Sequence, residues 1–184
     1  DDSLLQTIGE RIFDDTPIES FTIPSNVVEL KNGWCASPNL KRFFVNPENK
    51  MFKRIQNNFI IGKSSIDLDF FDCFVFCDRL IKYFEVPNYI RYIKSCAFSD
   101  CNHLERIDFE YNSKLEIIEK KAFRNTNISS ISIPCNVKQI CEEAFQSCVK
   151  LNIIEVNDIL DPKSFNFIKK DLLNNVIWMI PACL

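Results

Sequence analysis

The segment VPNYIRYIKSCAFSDCNHLERIDF, from Val86 to Phe109, returns without a gap as IPCNVKQICEEAFQSCVKLNIIEV, from Ile133 to Val156. Each copy has an apolar residue before Pro, then two aliphatic residues three apart, an Ala-Phe pair, a Cys and a closing apolar alternation. A variant copy runs from Leu115 to Pro134 and has Thr126 in place of the Cys. The chain is therefore an array of internal repeats.

The spacing of the copies decides the fold class. The unit recurs every ~22 to 25 residues, which lies within the range of leucine-rich repeats. Such units bury little apolar surface alone and become stable by stacking on their neighbours. We therefore predict a repeat solenoid, a right-handed leucine-rich-repeat horseshoe of the α/β superhelix class that is rich in β-strand and has short helical or 3₁₀ turns.

Period-two alternation near the end of each unit predicts a short strand. Ile107 points inward from it and Asp108 points outward, because successive strand residues face opposite sides. The Pro that follows the strand stops the hydrogen-bonded ladder. The small Ala of the Ala-Phe pair lets the Phe stack on the next coil, so we expect one buried spine, made by Phe13, Phe98, Phe123 and Phe145.

We predict a single leucine-rich-repeat domain over residues 1–184. Repeats occupy about residues 1–45 and 81–156, because residues 3–24 align with residues 113–134. A β-hairpin-like insertion of two or three strands, MFKRI, NFIIG and DCFVFC, interrupts the array over about 46–80. Residues 157–184 form a degenerate repeat or a cap. Since the chain starts without Met and within a repeat, we expect it to be part of a longer array.

Composition argues against several functions. The net charge of -3, from 22 basic and 25 acidic residues, gives no basic footprint for nucleic acid. Three glycines are too few for a phosphate-binding loop, and His103, the only histidine, leaves no His-rich metal site or His-based catalytic pair. No apolar run approaches the ~20 residues of a membrane span. We expect no enzyme activity, cofactor, metal or direct membrane insertion.

The residues resemble the BspA-type leucine-rich repeats of anaerobic bacteria and trichomonad parasites. The segment ISSISIPCNVKQICEEAFQSC, from Ile128 to Cys148, is close to the family pattern, and IQNNFIIGKSS, from Ile55 to Ser65, resembles an interruption in trichomonad members. The resemblance covers Leu4 to Val156. It implies a secreted or surface-displayed adhesion module in host–parasite interaction, without catalytic residues.

The outward strand positions would form the concave sheet face, where solenoids usually bind. Phe44, Tyr83 and Arg106 are of the residue types that anchor interfaces. The alternative is a solvated sheet face with scattered aromatic residues. The complete set of outward positions is Ser20, Thr22, Arg42, Phe44, Tyr83, Glu85, Arg106, Asp108, Ser130, Ser132, Ile153 and Glu155.

Nine cysteines, an odd number, do not have the spacing of a small disulfide framework. Cys101 and Cys148 share their repeat position with threonines, which favours buried thiols. For Cys73 and Cys77, packing or a disulfide that stabilises the insertion is favoured over a metal site. Cys96 has no equivalent cysteine in other repeats and is a candidate free thiol.

Two short patterns suggest modification or metal binding. Asn127 begins a glycosylation sequon, although Ile128 within it is a predicted core residue. Asp67, Asp69 and Asp72 suggest calcium, but they lack the spacing and glycine of a calcium loop, so a solvated edge is the favoured interpretation.

Two hypotheses for function follow. The first is a non-enzymatic module of a surface or secreted protein that binds a protein or glycan ligand on a host cell or matrix through its concave sheet. The second is an intracellular leucine-rich-repeat scaffold or regulatory protein, favoured by the many cysteines, since thiols persist in reducing compartments. In either case a homo-oligomer could form by stacking of solenoid ends.

Overall fold

The computed structural model describes residues 4–13, 15–35, 37, 39–56, 58–156, 162–172 and 177–179. These residues form short strands and one helix. In chain order the elements are β1 (Thr7–Ile8), β2 (Ser20–Ile23), β3 (Glu29–Leu30), β4 (Arg42–Val45), β5 (Phe52–Ile55), β6 (Phe59–Gly62), β7 (Cys73–Cys77), β8 (Tyr83–Val86), β9 (Tyr92–Ile93), β10 (Arg106–Phe109), β11 (Ile117–Ile118), β12 (Ser130–Ser132), β13 (Gln139–Ile140), β14 (Ile153–Glu155), α1 (Pro162–Asp171) and β15 (Ile177–Met179).

The strands stack in parallel along two sides of a solenoid, which confirms the predicted fold. On one side, which we call the long-strand side, β2 pairs with β4, β8 with β10, and β12 with β14 and β15. On the other, the short-strand side, β1 pairs with β3, and β7, β9, β11 and β13 form one ladder. The strand register follows the repeat alignment, since Ile107 lies opposite Phe84 and Ile118 opposite Ile140.

In the later coils the Ala-Phe turns form the third side of the solenoid. The N–H of Phe98 donates to the carbonyl of Ala122 at 2.8 Å, and that of Phe123 donates to Ala144 at 2.8 Å. The chain bends twice in each turn through non-glycine residues with positive φ. In coil order these are Arg11 and Asp15, Cys96 and Asp100, Lys121 and Asn125, and Glu143 and Ser147.

The insertion runs through the interior of the solenoid. β5 and β6 form an antiparallel hairpin, β7 pairs antiparallel with β6, and the other edge of β7 pairs in parallel with β9. All residues of β6 and β7 are buried. Phe59 and Ile61 face the core of the later coils, whereas Ile60 and Phe76 face the core of the first coils. Burial on both faces explains why these strands are nearly continuous apolar runs.

A β-bulge at Val75 decides which way the cysteines of β7 point. The register shifts by one residue between Ile60 and Ile61, so the alternation of side chains reverses within β7. As a result Cys73 packs into the core of the first coils and Cys77 into that of the later coils. Both are free thiols, so a disulfide between them is excluded and the packing alternative holds.

The aromatic spine differs from the expected one in one member. Phe98 stacks on Phe123 at 5.1 Å with an interplanar angle of 10°, and Phe123 stacks on Phe145 at 5.4 Å and 5°. Phe74 of the insertion continues the stack, at 4.5 Å from Phe98. The inclusion of Phe13 was wrong, because β6 and β7 separate its core from that of the later coils.

Helix α1 covers the end of the short-strand ladder. Pro162 begins the helix, where its missing N–H is not needed. The hydroxyl of Ser164 accepts a hydrogen bond from the N–H of Ile140 at 2.7 Å, and the carboxylate of Asp171 accepts one from Phe145 at 3.1 Å. The helix thus supplies acceptors that another coil would otherwise supply, while β15 extends the long-strand side.

Candidate functional site

The long-strand side presents one dense group of charged and aromatic side chains, on β8 and β10. Tyr83 and Arg106 lie opposite each other in the ladder, as do Glu85 and Asp108. The Arg106 guanidinium lies 5.7 Å from the Tyr83 ring centroid and 2.7 Å from the Asp108 carboxylate. Tyr83 is 48% exposed, so an aromatic face and two charges are available together.

The charges in this group act on each other. The hydrogen bond from Arg106 to Asp108 raises the pKa of the guanidinium, so the cation is permanent. Desolvation, together with the negative charges of Glu85 and Asp108, raises the pKa of the Tyr83 hydroxyl. The hydroxyl therefore remains protonated at neutral pH and can donate a hydrogen bond.

An area with fewer charged residues lies next to this group, on β12 and β14. Ser130 lies opposite Ile153 and Ser132 opposite Glu155 in the register. The two serines are exposed and the other two side chains are half-buried.

The predicted residues of the first coils form a separate group. Arg42 and Phe44 on β4 lie opposite Ser20 and Thr22 on β2. All four are exposed, but no ladder joins β4 to β8 among the described residues. The outward positions that the sequence indicates are therefore all on the long-strand side, although they are divided into two groups.

Two residues near Phe44 were missed by sequence reasoning. The Arg54 guanidinium lies 4.3 Å from the Phe44 ring centroid and forms an ion pair with Asp78 at 3.2 Å. Burial raises the pKa of Asp78, against the opposing effect of Arg54. Both residues belong to the insertion, which has no repeat periodicity to place them, so only the three-dimensional structure brings them to Phe44.

The candidate modification and metal positions have structural roles or are solvated. The side-chain amide of Asn127 donates a hydrogen bond to the carbonyl of Asn102 in the preceding coil. Asp72 is fully buried and accepts hydrogen bonds from the N–H and the hydroxyl of Ser64, each at 2.7 Å. The solvated-edge interpretation is therefore wrong for Asp72, while Asp67 and Asp69 are exposed. Within the described ranges, no three His, Cys, Asp or Glu side chains are arranged to hold a metal ion.

The predicted thiols are buried. Cys101 and Cys148 are free and buried, as expected, and Cys96 is free, as expected, and is buried as well. Arg79 is a buried cation that the sequence did not indicate; it donates to the Cys101 sulfur at 3.9 Å and to the carbonyl of Cys35 at 2.9 Å. Burial opposes ionisation of Cys101, but the hydrogen bond from Cys77 and the charge of Arg79 together lower its pKa.

The family model of the BspA type leucine rich repeat region matches residues 2–71 and 69–179, in six copies. The chain is also similar to a leucine-rich repeat protein from Eubacterium ventriosum ATCC 27560, with 19% identity and a TM-score of 0.73 over 96% of this chain and 52% of that structure. A leucine rich cell surface protein from Faecalibacterium prausnitzii A2-165 has 20% identity and a TM-score of 0.64, over 97% of this chain and 52% of its own. No curated protein matches the chain.

These similarities define the fold and the family. The chain spans about half the length of each of the two solved structures. At identities of 19% and 20% they share the solenoid fold and carry no information about a ligand. No helix in the described part of the chain is long and apolar enough to cross a bilayer. Because the repeat model matches nearly the whole sequence, the chain belongs to the family of BspA-type leucine-rich repeat proteins.

Proposed function

We propose that this chain is a non-enzymatic adhesion module that binds a protein or glycan on a host cell or matrix through its long-strand side. The observation that carries the proposal is the exposed contact of Arg106 with Tyr83 and Asp108 on two paired strands. Aromatic and arginine side chains that are held in place lose little conformational entropy when they bind. Planar aromatic faces beside charged donors and acceptors suit either a sugar ring or a polar peptide.

Display at a cell surface or secretion is part of the same proposal. It is supported by membership of the BspA-type family and by the solved relative that is described as a leucine rich cell surface protein. A stacked array of coils gives a cell-surface or secreted protein an extended surface on which to bind a ligand.

The test is a binding screen of the purified protein against arrays of glycans, matrix proteins and intact cells. A Tyr83→Ala/Arg106→Ala/Asp108→Ala variant is compared with a Lys114→Ala/Gln139→Ala variant. Saturable binding that the first variant loses and the second retains supports the proposal. Binding retained by both variants overturns the assignment to this group, and circular dichroism of each variant excludes a folding defect.

An intracellular scaffold is the second candidate. It is favoured by seven free cysteines among the described residues, because thiols persist in reducing compartments. Cys135, in contrast, is disulfide-bonded. Thiol counting on native material under denaturing, non-reducing conditions distinguishes the two. Several disulfides would exclude the intracellular candidate.

A further inference from the structure

A cleft lies where the first coils meet the sheet of the insertion. Two adjoining cavities, of about 620 Å³ and 670 Å³, share Glu10, Asn32 and Ser95 in their linings. Tyr92 on β9 and Ile117 on β11 line the first cavity, and both are half-buried. The first cavity has the volume of a typical ligand pocket.

One wall of the first cavity is β3, whose outer edge is open. In the coil before it, the carbonyl of Gln6 accepts a hydrogen bond from Glu29 at 3.2 Å, and that of Ile8 accepts one from Lys31 at 2.9 Å. Among the strands that the structure describes, β3 pairs only with β1, because the insertion replaces the next short strand in this position. The carbonyls of Val28 and Leu30 therefore accept no backbone N–H within the described ranges.

The same acceptor positions are filled further along the array. The carbonyl of Arg91 accepts from Glu116 at 2.8 Å, and that of Ile93 accepts from Glu119 at 2.9 Å. Arg91 and Ile93 have the same spacing as Val28 and Leu30. The cleft thus has two carbonyls, two residues apart, that lack a backbone donor within the described ranges, in the arrangement that a parallel strand would satisfy.

The acidic and basic residues that line the first cavity are equal in number, but Glu10 and Lys63 form no ion pair within the described ranges. Glu29 forms an ion pair with Lys31 at 2.5 Å, and Glu119 forms one with Lys94. Lys63 has no carboxylate partner in the described part of the chain; its ammonium group lies 5.6 Å from the Phe71 ring centroid. A positive charge is therefore available at this end of the cleft.

Strand pairing shows at which end of the cleft Lys63 lies. The residue before it, Gly62, pairs with Cys73 at the start of β7, and Cys73 pairs with Tyr92 at the start of β9. The opposite end is lined by Asn32 and Ser95, which follow the ends of β3 and β9. Lys63 thus lies at the end where parallel strands begin.

We propose that this cleft binds an extended, acidic peptide segment of a partner protein, which adds as a strand parallel to β3. Its backbone N–H groups donate to the carbonyls of Val28 and Leu30, as in β-strand addition. An acidic side chain near its N-terminal end pairs with Lys63, and an apolar side chain packs on Tyr92 and Ile117. This site is separate from the long-strand side, so either site can exist without the other.

The test is a selection from a library of random linear peptides for those that bind the purified chain. Ile117→Arg places a long charged side chain in the lining of the first cavity. Gln139→Arg is its matched control, because residue 139 lies opposite residue 117 in the ladder but outside both cavities. We expect enrichment of peptides with an acidic residue before an apolar one. Their binding should be lost in Ile117→Arg, weakened in Lys63→Glu and retained in Gln139→Arg. No enrichment, or equal binding to all variants, overturns the proposal.

Backbone methylation of an enriched peptide tests the strand geometry. Removing one donating N–H should weaken binding about two- to tenfold at alternate positions only. Uniform tolerance of methylation would contradict strand addition. The Tyr83→Ala/Arg106→Ala/Asp108→Ala variant should bind these peptides normally, which separates failure at this cleft from failure at the long-strand side.

Discussion

The carboxylate of Asp171 accepts a hydrogen bond from the backbone N–H of Phe145 at 3.1 Å. In earlier coils the equivalent N–H groups, of Phe98 and Phe123, donate to backbone carbonyls of the next coil. A side chain of α1 therefore replaces a backbone acceptor where the Ala-Phe turns end. Asp171 thus acts together with Ser164, whose hydroxyl accepts the N–H of Ile140, in replacing the acceptors of a further coil.

Replacing Asp171 with Ala should destabilise the last coils by about 2 kcal/mol, because a hydrogen bond to a charged acceptor is lost. Amide hydrogen exchange should accelerate at Phe145 before it does at Phe98. Urea unfolding gives the size of the loss. Asn166→Ala, on the exposed side of the same helix, is the control and should have little effect. Equal effects of the two changes would contradict the role of Asp171 as a cap.

Gly62 is required for close packing within the insertion. A Cβ at this position would lie 2.9 Å from Cδ1 of Phe52 and 3.0 Å from Cγ2 of Val75. Gly62→Ala should therefore cost about 1–3 kcal/mol through overpacking, measured by denaturant unfolding.

Gly33 offers a contrast to Gly62 because its constraint is conformational. Its φ is 77°, and a Cβ added there would meet no atom within 4 Å beyond its chain neighbours. Gly33→Ala should cost about 1 kcal/mol through backbone strain alone. A Phe52→Leu change should partly rescue Gly62→Ala and should not rescue Gly33→Ala.

Glu116 makes stability depend on pH. Hydrogen bonds from Arg91 and Lys138 lower the pKa of its carboxyl. Because its pKa is lower in the folded state, the carboxylate of Glu116 adds to the free energy of unfolding above the unfolded-state pKa. This stabilisation is lost as pH falls through the folded-state pKa. Glu116→Gln should thus cost about 1 kcal/mol near pH 7 and almost nothing below about pH 3. Urea unfolding at both pH values measures this.

The control for Glu116 is Glu105→Gln, which changes an exposed carboxylate that pairs with no cation in the described ranges. Glu105→Gln should change the free energy of unfolding little at either pH. A pH-independent difference between Glu116→Gln and the natural chain would show that the carboxylate acts by packing rather than by charge.

The buried thiols should react slowly in the native protein. Burial raises the pKa of Cys35 to about 12 and raises the pKa of Cys148 as well, and only the thiolate is nucleophilic. The pKa of Cys101 is lowered, so for this thiol it is enclosure in the core that should slow the reaction. Cys141 is the only one of the seven free thiols in the described ranges that is not fully buried, so it should react first with an aromatic disulfide reagent. Rapid reaction of the other six in the folded state would contradict the core packing.

The candidate site could be predicted in part from the sequence. The outward positions of Tyr83, Arg106 and Asp108 follow from period-two alternation, which is local to each strand. The contact of Arg54 with Phe44 could not be predicted, since it joins an irregular insertion to a repeat. The open edge of β3 also depends on which strand lies beside it, a relationship between distant segments.

The sequence by itself determined the solenoid, because a repeat that places Ile107, Ile131 and Ile154 at the same position buries them in the same way in each coil. The tertiary structure alone decided the course of the insertion. Its strands alternate with period two until the bulge at Val75, which only the pairing with β6 produces. Sequence periodicity specifies a residue's side within its own coil, whereas burial of Asp72 depends on packing between segments far apart in the chain.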